Sequence, residues 1–265
     1  MQRNDYTKAN QRAWNESAVH HTSGDSWNGL LKNFASPGFS TLDATLTNAL
    51  VEIGVDGKSV VQIACNNGRD VLSTCALGAK ACAGIDISES FIEAAERINN
   101  VARRDCEFMV ADIYALPKTL RRDFDVALIT IGVLNWMPDP DAFFATVRGL
   151  LKPGGALVIY ETHPFLDMFD PRAEKAREPA YSYFPAEPFR QTEAIVYDGA
   201  DVPDVSPSYW FAHSLGTVVT ACIESGFRLS TLKEFPHSIR EVDFDRYENE
   251  EPQLPMCYLL TAVAA

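Results

Sequence analysis

From Lys58 to Glu161 the chain alternates short apolar runs with segments whose apolar residues recur at helical spacing. The run FDVALITIGV (124–133) is apolar at almost every position. A strand with that composition has to be covered on both faces, as strands of a parallel sheet are. SVVQIA, KACAGIDI, CEFMVAD and ALVIYET read as four more strands. Between them, RDVLSTCALG carries Val71, Leu72, Cys75 and Leu77 on one face and stops at Gly78. SESFIEAAERINNVARR places Phe91, Ile92, Ala95, Ile98 and Val101 behind a Ser88 N-cap. DPDAFFATVRGLLKPGG gives a third helix, with its end marked by Lys152, Pro153 and the Gly154–Gly155 pair. Strand–helix–strand repetition predicts right-handed crossovers and an α/β doubly wound sheet with helices on both faces.

The flanks read differently. STLDATLTNALVEIGV predicts a helix capped by Ser40, and residues 1–40 form a polar N-terminal segment read as a helical lid. Residues 163–208 hold seven prolines and many aromatics, too apolar for a linker, and predict an insertion folded over the core. SLGTVVTACIESGFRLSTLKEFP then gives a helix ending at Gly226 and a strand, and PMCYLLTAVA a last strand. The mostly parallel sheet therefore has seven strands, in a main domain over 41–265. EVDFDRYENEEP reads as a solvated loop between the last two strands.

A net charge of −13 repels phosphate backbones, so no nucleic-acid partner is expected. The N-terminus lacks the apolar core of a signal peptide, and no apolar run approaches membrane-spanning length, so a cytoplasmic protein with no membrane partner is expected. The six cysteines lie at irregular spacings with no CxxC pair, which predicts buried thiols and no metal.

In open parallel sheets, ligands sit beyond the C-terminal strand ends. The first end is the turn ACNNG, where Ala64, Asn66 and Gly68 stand where glycines would allow close approach to a ligand. Asn tolerates the left-handed conformation best among the other residues. Asp86 follows about twenty residues later, where an acidic side chain meets ribose hydroxyls in nucleoside-binding folds. Asp112 ends the third strand, and Gly132 and Asn135 follow the fourth. Two carboxylates at successive strand ends suit a ligand rich in donors, and the absence of G-x-G-x-x-G disfavours NAD(P).

Taken in order, VVQIACNNGRD, GIDIS, VADIYALP, FDVALITIGVLNWMPD and LLKPGGALVIYETHP resemble the class I S-adenosylmethionine (SAM)-dependent methyltransferases over roughly residues 40–163. The resemblance implies a Rossmann-like methyltransferase fold, with SAM as cofactor and S-adenosylhomocysteine as product. It also implies Ala64, Asn66 and Gly68 along the methionine part, Asp86 on the ribose, Ile87 beside the adenine, and Asp112 with Ile113 at the adenine amine. Ile131 and Gly132 fall near the sulfonium. Three positions depart from the pattern: Gln62 replaces an acidic residue, and Ala64 and Asn66 replace glycines.

The implied reaction is methyl transfer to oxygen, nitrogen or carbon of a small, partly apolar or aromatic acceptor. Candidate acceptor contacts are Trp14, Asn135, Trp136, Tyr183, Trp210 and His213, drawn from the lid, the fourth strand end and the insertion. Candidate catalytic groups are His163, Glu161, His20 and His21. Asp139 and Asp141 read as helix caps in preference to metal ligands. The alternative is a protein that binds SAM or S-adenosylhomocysteine without transfer, acting as a partner subunit. A monomer or homodimer is expected.

Overall fold

The computed structural model describes residues 1–196, 202–203, 205–239 and 242–265, without the Val242 side chain. Its central sheet has seven strands in the order β3-β2-β1-β4-β5-β9-β8. Five are parallel: β1 (Ser59–Ile63), β2 (Ala81–Asp86), β3 (Glu107–Val110), β4 (Phe124–Thr130) and β5 (Leu151–Thr162). β8 (Phe227–Phe235) and β9 (Cys257–Ala264) form an antiparallel pair, and β9 runs antiparallel to β5. The winding reverses between β1 and β4, which opens a crevice above their C-terminal ends.

Alternate strand residues feed two cores. Val61, Ile63, Ile85, Ala127, Ile129, Leu157 and Ile159 face α6 (Pro140–Arg148) and α7 (Leu215–Glu224) through Phe143, Phe144, Val147, Val218 and Ala221. Val60, Val126, Leu128, Val158 and Tyr160 face the other way. There they meet α2 (Gly24–Phe34), α3 (Ala44–Glu52), α4 (Arg69–Thr74) and α5 (Glu89–Ala102). Both faces are covered, which is why FDVALIT could be apolar at every position but Asp125 and Thr130.

Several boundaries differ from the sequence expectations. Asp43, not Ser40, caps α3, accepting from the Leu46 N–H; the Ser40 Oγ accepts from the Leu42 N–H instead. α6 ends at Arg148, so LKPGG already belongs to the β5 approach. The N-terminal segment divides in two. α1 (Arg3–His21) lies over the strand ends, whereas α2 buries Trp27 and Phe34 in the core. The segment read as a solvated loop contains a 3-10 turn, Val242–Tyr247, and buries Tyr247 with Leu166, Phe169, Ala176 and Met256 in a third small core. The Tyr247 hydroxyl donates to the Ala176 carbonyl at 2.7 Å. Its acidic residues made that stretch look solvated; one aromatic among them anchors it.

The insertion carries a two-stranded ribbon, β6 (Phe189–Gln191) and β7 (Ser208–Trp210), paired Phe189 to Trp210. α1 grips this ribbon. The Asn10 amide donates to the Tyr209 carbonyl at 2.9 Å and accepts from the Tyr209 N–H at 2.7 Å, as a neighbouring strand would. Tyr6 packs edge-on to Tyr209 and Phe211, and the Ser17 Oγ accepts from the Ile195 N–H.

Candidate active site

A cavity of about 710 Å³ lies between the C-terminal ends of β1–β4 and the roof formed by α1 and the insertion. Its floor is the set of strand-end turns. Ala64 and Asn66 line it in the left-handed conformation, at φ 49° and 52°. The Asn66 N–H donates to Asp86 Oδ2 at 2.7 Å and the Ser88 N–H to Oδ1 at 2.9 Å. These bonds fix the Asp86 carboxylate on the cavity wall. Burial nevertheless pushes its pKa up to about 6, because desolvation outweighs the backbone donors. Asp112 caps a short 3-10 turn, accepting from the Tyr114 N–H at 2.9 Å, and also lines the cavity with Ile87, Ile113, Ile131 and Gly132.

Gly68 departs from its expected role. It is not among the lining residues; it caps α4 at φ 71°. A Cβ there would lie 2.6 Å from the Phe108 ring and 3.0 Å from the Ala95 methyl, so this glycine lets β3 and α5 close against the turn. Gln62, at the position where the resemblance expects an acid, works inside the protein. Its amide donates to Thr130 Oγ1 at 3.0 Å and its carbonyl accepts from the Val71 N–H at 3.0 Å, tying β1 to β4 and α4.

The catalytic candidates lie away from the cavity or hold the fold. Glu161 is buried, and its carboxylate accepts from the Gly132 N–H at 2.6 Å and the Leu134 N–H at 3.0 Å. It shapes the loop after β4 rather than facing an acceptor. His163 is buried below that loop. Its Nδ1 accepts from the Phe165 N–H at 3.1 Å, so Nε2 carries the proton and donates to Glu234 at 2.8 Å. Burial lowers its pKa, against the pull of Glu234, and it does not line the cavity. His20 is exposed. His21 contacts the Ile195 carbonyl at 2.6 Å and lies tilted against the Phe91 and Trp14 rings, outside the lining. Position after a strand end suggested His163, but the side chain turns toward Glu234 of β8, beside Tyr258 of β9.

Trp14, Asn135, Trp136 and Trp210 do line the cavity. Trp14 meets Trp136 edge-on at 5.2 Å and Phe91 at 5.5 Å. The Asn135 amide donates to Asp167 at 3.1 Å and to the Phe211 carbonyl at 3.2 Å, pinning the insertion to the β4 loop. Tyr183 and His213 lie outside the lining. The Tyr183 hydroxyl accepts from the Leu215 N–H, and His213 Nε2 contacts the Met137 carbonyl at 2.7 Å with its pKa lowered by burial. Both brace the start of α7. Asp139 caps α6 and pairs with Arg3, as a capping residue does.

The sequence reading missed Thr7, Asn10, Phe91, Tyr114 and Asp167, all on the wall. Asp167 is buried within the apolar stretch FLDMF, and an acid in such a setting was its one visible signal. Among the described residues the lining carries six carboxylates and two guanidiniums, and no histidine, lysine or cysteine.

The donor set fits SAM. Asp86 is a desolvated carboxylate suited to accept from ribose hydroxyls, Asp112 can accept from an exocyclic amine, and Ile87 and Ile113 offer apolar surface to a base. An acidic, aromatic wall favours a cationic sulfonium.

Residues 61–157 match the family model described as a methyltransferase domain. Over 107 residues (40% of this chain, 35% of that protein) the sequence is 29% identical to the tRNA U34 carboxymethyltransferase of Nautilia profundicola. Over 106 residues (40% and 44%) it is 30% identical to the ubiquinone biosynthesis O-methyltransferase of Coxiella burnetii. The matched region thus spans less than half of these curated relatives. In fold, it is similar to the geranyl diphosphate C-methyltransferase of Streptomyces coelicolor A3(2), solved with S-adenosylhomocysteine. The TM-score is 0.61, covering 98% of each chain at 14% identity. With the strand order, the strand-end carboxylates and the matched core in agreement, residues 61–157 carry a methyltransferase domain and the chain has the fold of the class I SAM-dependent methyltransferases.

Proposed function

We propose that this protein transfers a methyl group from SAM to a small, partly apolar or aromatic acceptor. The observation that carries the reading is the division of the cavity. One half is built from strand ends bearing Ala64, Asn66, Asp86 and Asp112; the other is roofed by Trp14, Trp136, Phe189 and Trp210 from α1, the β4 loop and the ribbon. Bound SAM supplies an electrophilic methyl on its sulfonium. Asp86, Asp112, Ile87 and Ile113 hold the nucleoside, Ala64 and Asn66 border the methionine part, and Ile131 and Gly132 border the methyl-bearing end. Glu161 fixes Gly132 and Leu134, so that border is set by a buried carboxylate.

The aromatic roof excludes water and orients the acceptor, which is sufficient for an in-line displacement by a competent nucleophile. A proton leaving the acceptor has carboxylates within the cavity to receive it, Asp167 and Glu193 among them. The acidic lining favours a neutral or cationic acceptor and opposes a phosphate backbone. Among the described residues no helix is long and apolar enough to cross a bilayer.

Turnover with labelled SAM against panels of small aromatic and amine metabolites, tRNA and a ribosomal-protein mixture tests this. Label must enter the small-molecule fraction; label confined to RNA or protein refutes the acceptor class. SAM binding with no transfer to any panel would favour a partner-subunit role.

A further inference from the structure

Three cysteines outside the cofactor cavity converge at the flank of the sheet. Cys75 opens the 3-10 turn that extends α4, Cys82 sits on β2, and Cys106 immediately precedes β3. The Cys75 Sγ lies 3.4 Å from that of Cys82 and 4.0 Å from that of Cys106, and the three sulfurs lie within 4.8 Å of one another. Three different elements supply them, so the spacing in sequence carries no metal-binding signature. Cys82 and Cys106 are buried, while Cys75 is half-buried and leaves a path to solvent.

A zinc-type ion bonds thiolate sulfur at about 2.3 Å, which puts tetrahedrally arranged sulfurs about 3.8 Å apart. The 3.4 Å and 4.0 Å separations bracket that value. Thiols buried only as small hydrophobes have no need to gather at one point, and other members of the same core, such as Cys257, stand apart from the trio.

Thiolate is the ligating form, so binding of an ion here must displace the thiol protons.

We infer that Cys75, Cys82 and Cys106 form a three-thiolate structural site for a thiophilic divalent d10 cation, zinc being the type. Binding joins the cation to three sulfurs, whose thiols release three protons to solvent. Three minus charges against two plus leave one net negative charge. Solvent completes four-coordination on the open Cys75 side. α4 begins in the cofactor turn at Gly68 and ends at Cys75, so the ion would staple the far end of that helix to β2 and β3.

The test uses the full chain, reduced and metal-free, titrated with Zn2+ against a chromophoric chelator. One equivalent should bind with a dissociation constant below about 1 μM, with about three protons released as measured by calorimetry in buffers of differing ionisation enthalpy. Co2+ should give a thiolate-to-metal charge-transfer band. Cys75→Ser and Cys82→Ser should each weaken Zn2+ by about 100-fold or more, while Cys222→Ser, on the other face of the sheet, leaves it unchanged. If Cys82→Ser does not fold, the half-exposed Cys75→Ser decides. No equivalent bound while all thiols titrate as free, undiminished binding in Cys75→Ser, or a mass lower by two hydrogens from a Cys75–Cys82 disulfide would each overturn the site.

Discussion

The Asp86 carboxylate makes SAM affinity depend on pH in a way that can be worked out beforehand. Burial has raised its pKa from 3.8 to about 6 in the ligand-free protein. If the ionised form is the one that accepts from the ribose hydroxyls, affinity scales with the ionised fraction. That fraction is about one half at pH 6 and about one tenth at pH 5, a tenfold loss or roughly 1.4 kcal/mol. The amino and carboxyl groups of SAM itself titrate near 8 and below 4, outside this window (about 7.7–8.0 and 3.3–3.7 in model compounds).

Asp86→Asn should remove the pH dependence. It should also weaken binding at pH 7.5 by about 10- to 150-fold, the worth of hydrogen bonds to a charged acceptor (about 1.5–3 kcal/mol). Stability should respond with the opposite sign. An acid whose folded pKa lies above its unfolded value binds protons more tightly when folded. The ligand-free wild type therefore loses stability relative to Asp86→Asn as pH rises from about 4 to 6, by on the order of 3 kcal/mol at most. Calorimetric titration of SAM from pH 5 to 7.5, with urea unfolding of both proteins over pH 4 to 7, reads both effects. A flat wild-type affinity, or a parallel slope in Asp86→Asn, would refute the ribose role.

Three further outcomes follow from the packing. Glu161→Gln sets an amide against two N–H donors that now share a carboxylate, and should cost about 2–4 kcal/mol in urea unfolding while weakening SAM through the displaced Gly132 loop; unaltered stability would contradict that geometry. Gly68→Ala forces a methyl group toward the Phe108 ring at positive φ and should cost about 1–3 kcal/mol, visible as a lowered melting temperature; a neutral result would mean the turn and β3 are loosely packed. His163→Ala should lower stability yet leave kcat within about threefold, since the imidazole is spent on Glu234 and the Phe165 N–H; a loss of about 100-fold would restore it as the base.

Much of the core was legible because its signals are local. Apolar runs set the strands, Ser88 capped α5 where expected, and the strand-end residues Asp86 and Asp112 came to the cavity in their chain order. The candidates that failed depend on where a side chain turns after the backbone has been placed. His163 follows β5 as a catalytic base would, yet rotates toward Glu234, and Glu161 looks inward to two amides. Gly68 has the conformation expected of a ligand-facing glycine, but the approach it permits is that of Phe108, forty residues away in sequence. Tyr247 and Asp167 were hidden for a related reason: they lie in segments whose path over the core has no periodic trace.

The clasp between Asn10 and Tyr209 bears on how an acceptor reaches its place. Because one amide satisfies both backbone groups of a ribbon residue, with Ser17 and Ile195 linked about two helical turns on, the N-terminal helix and the ribbon are fastened together at two points. Admission then requires the pair to swing as a unit, or a passage at its margin, since lifting one alone strands paired amides. Removing the first helix should consequently loosen the ribbon as well, so that protease cuts appear near residue 190 in a truncated chain although the deletion lies nearly two hundred positions upstream.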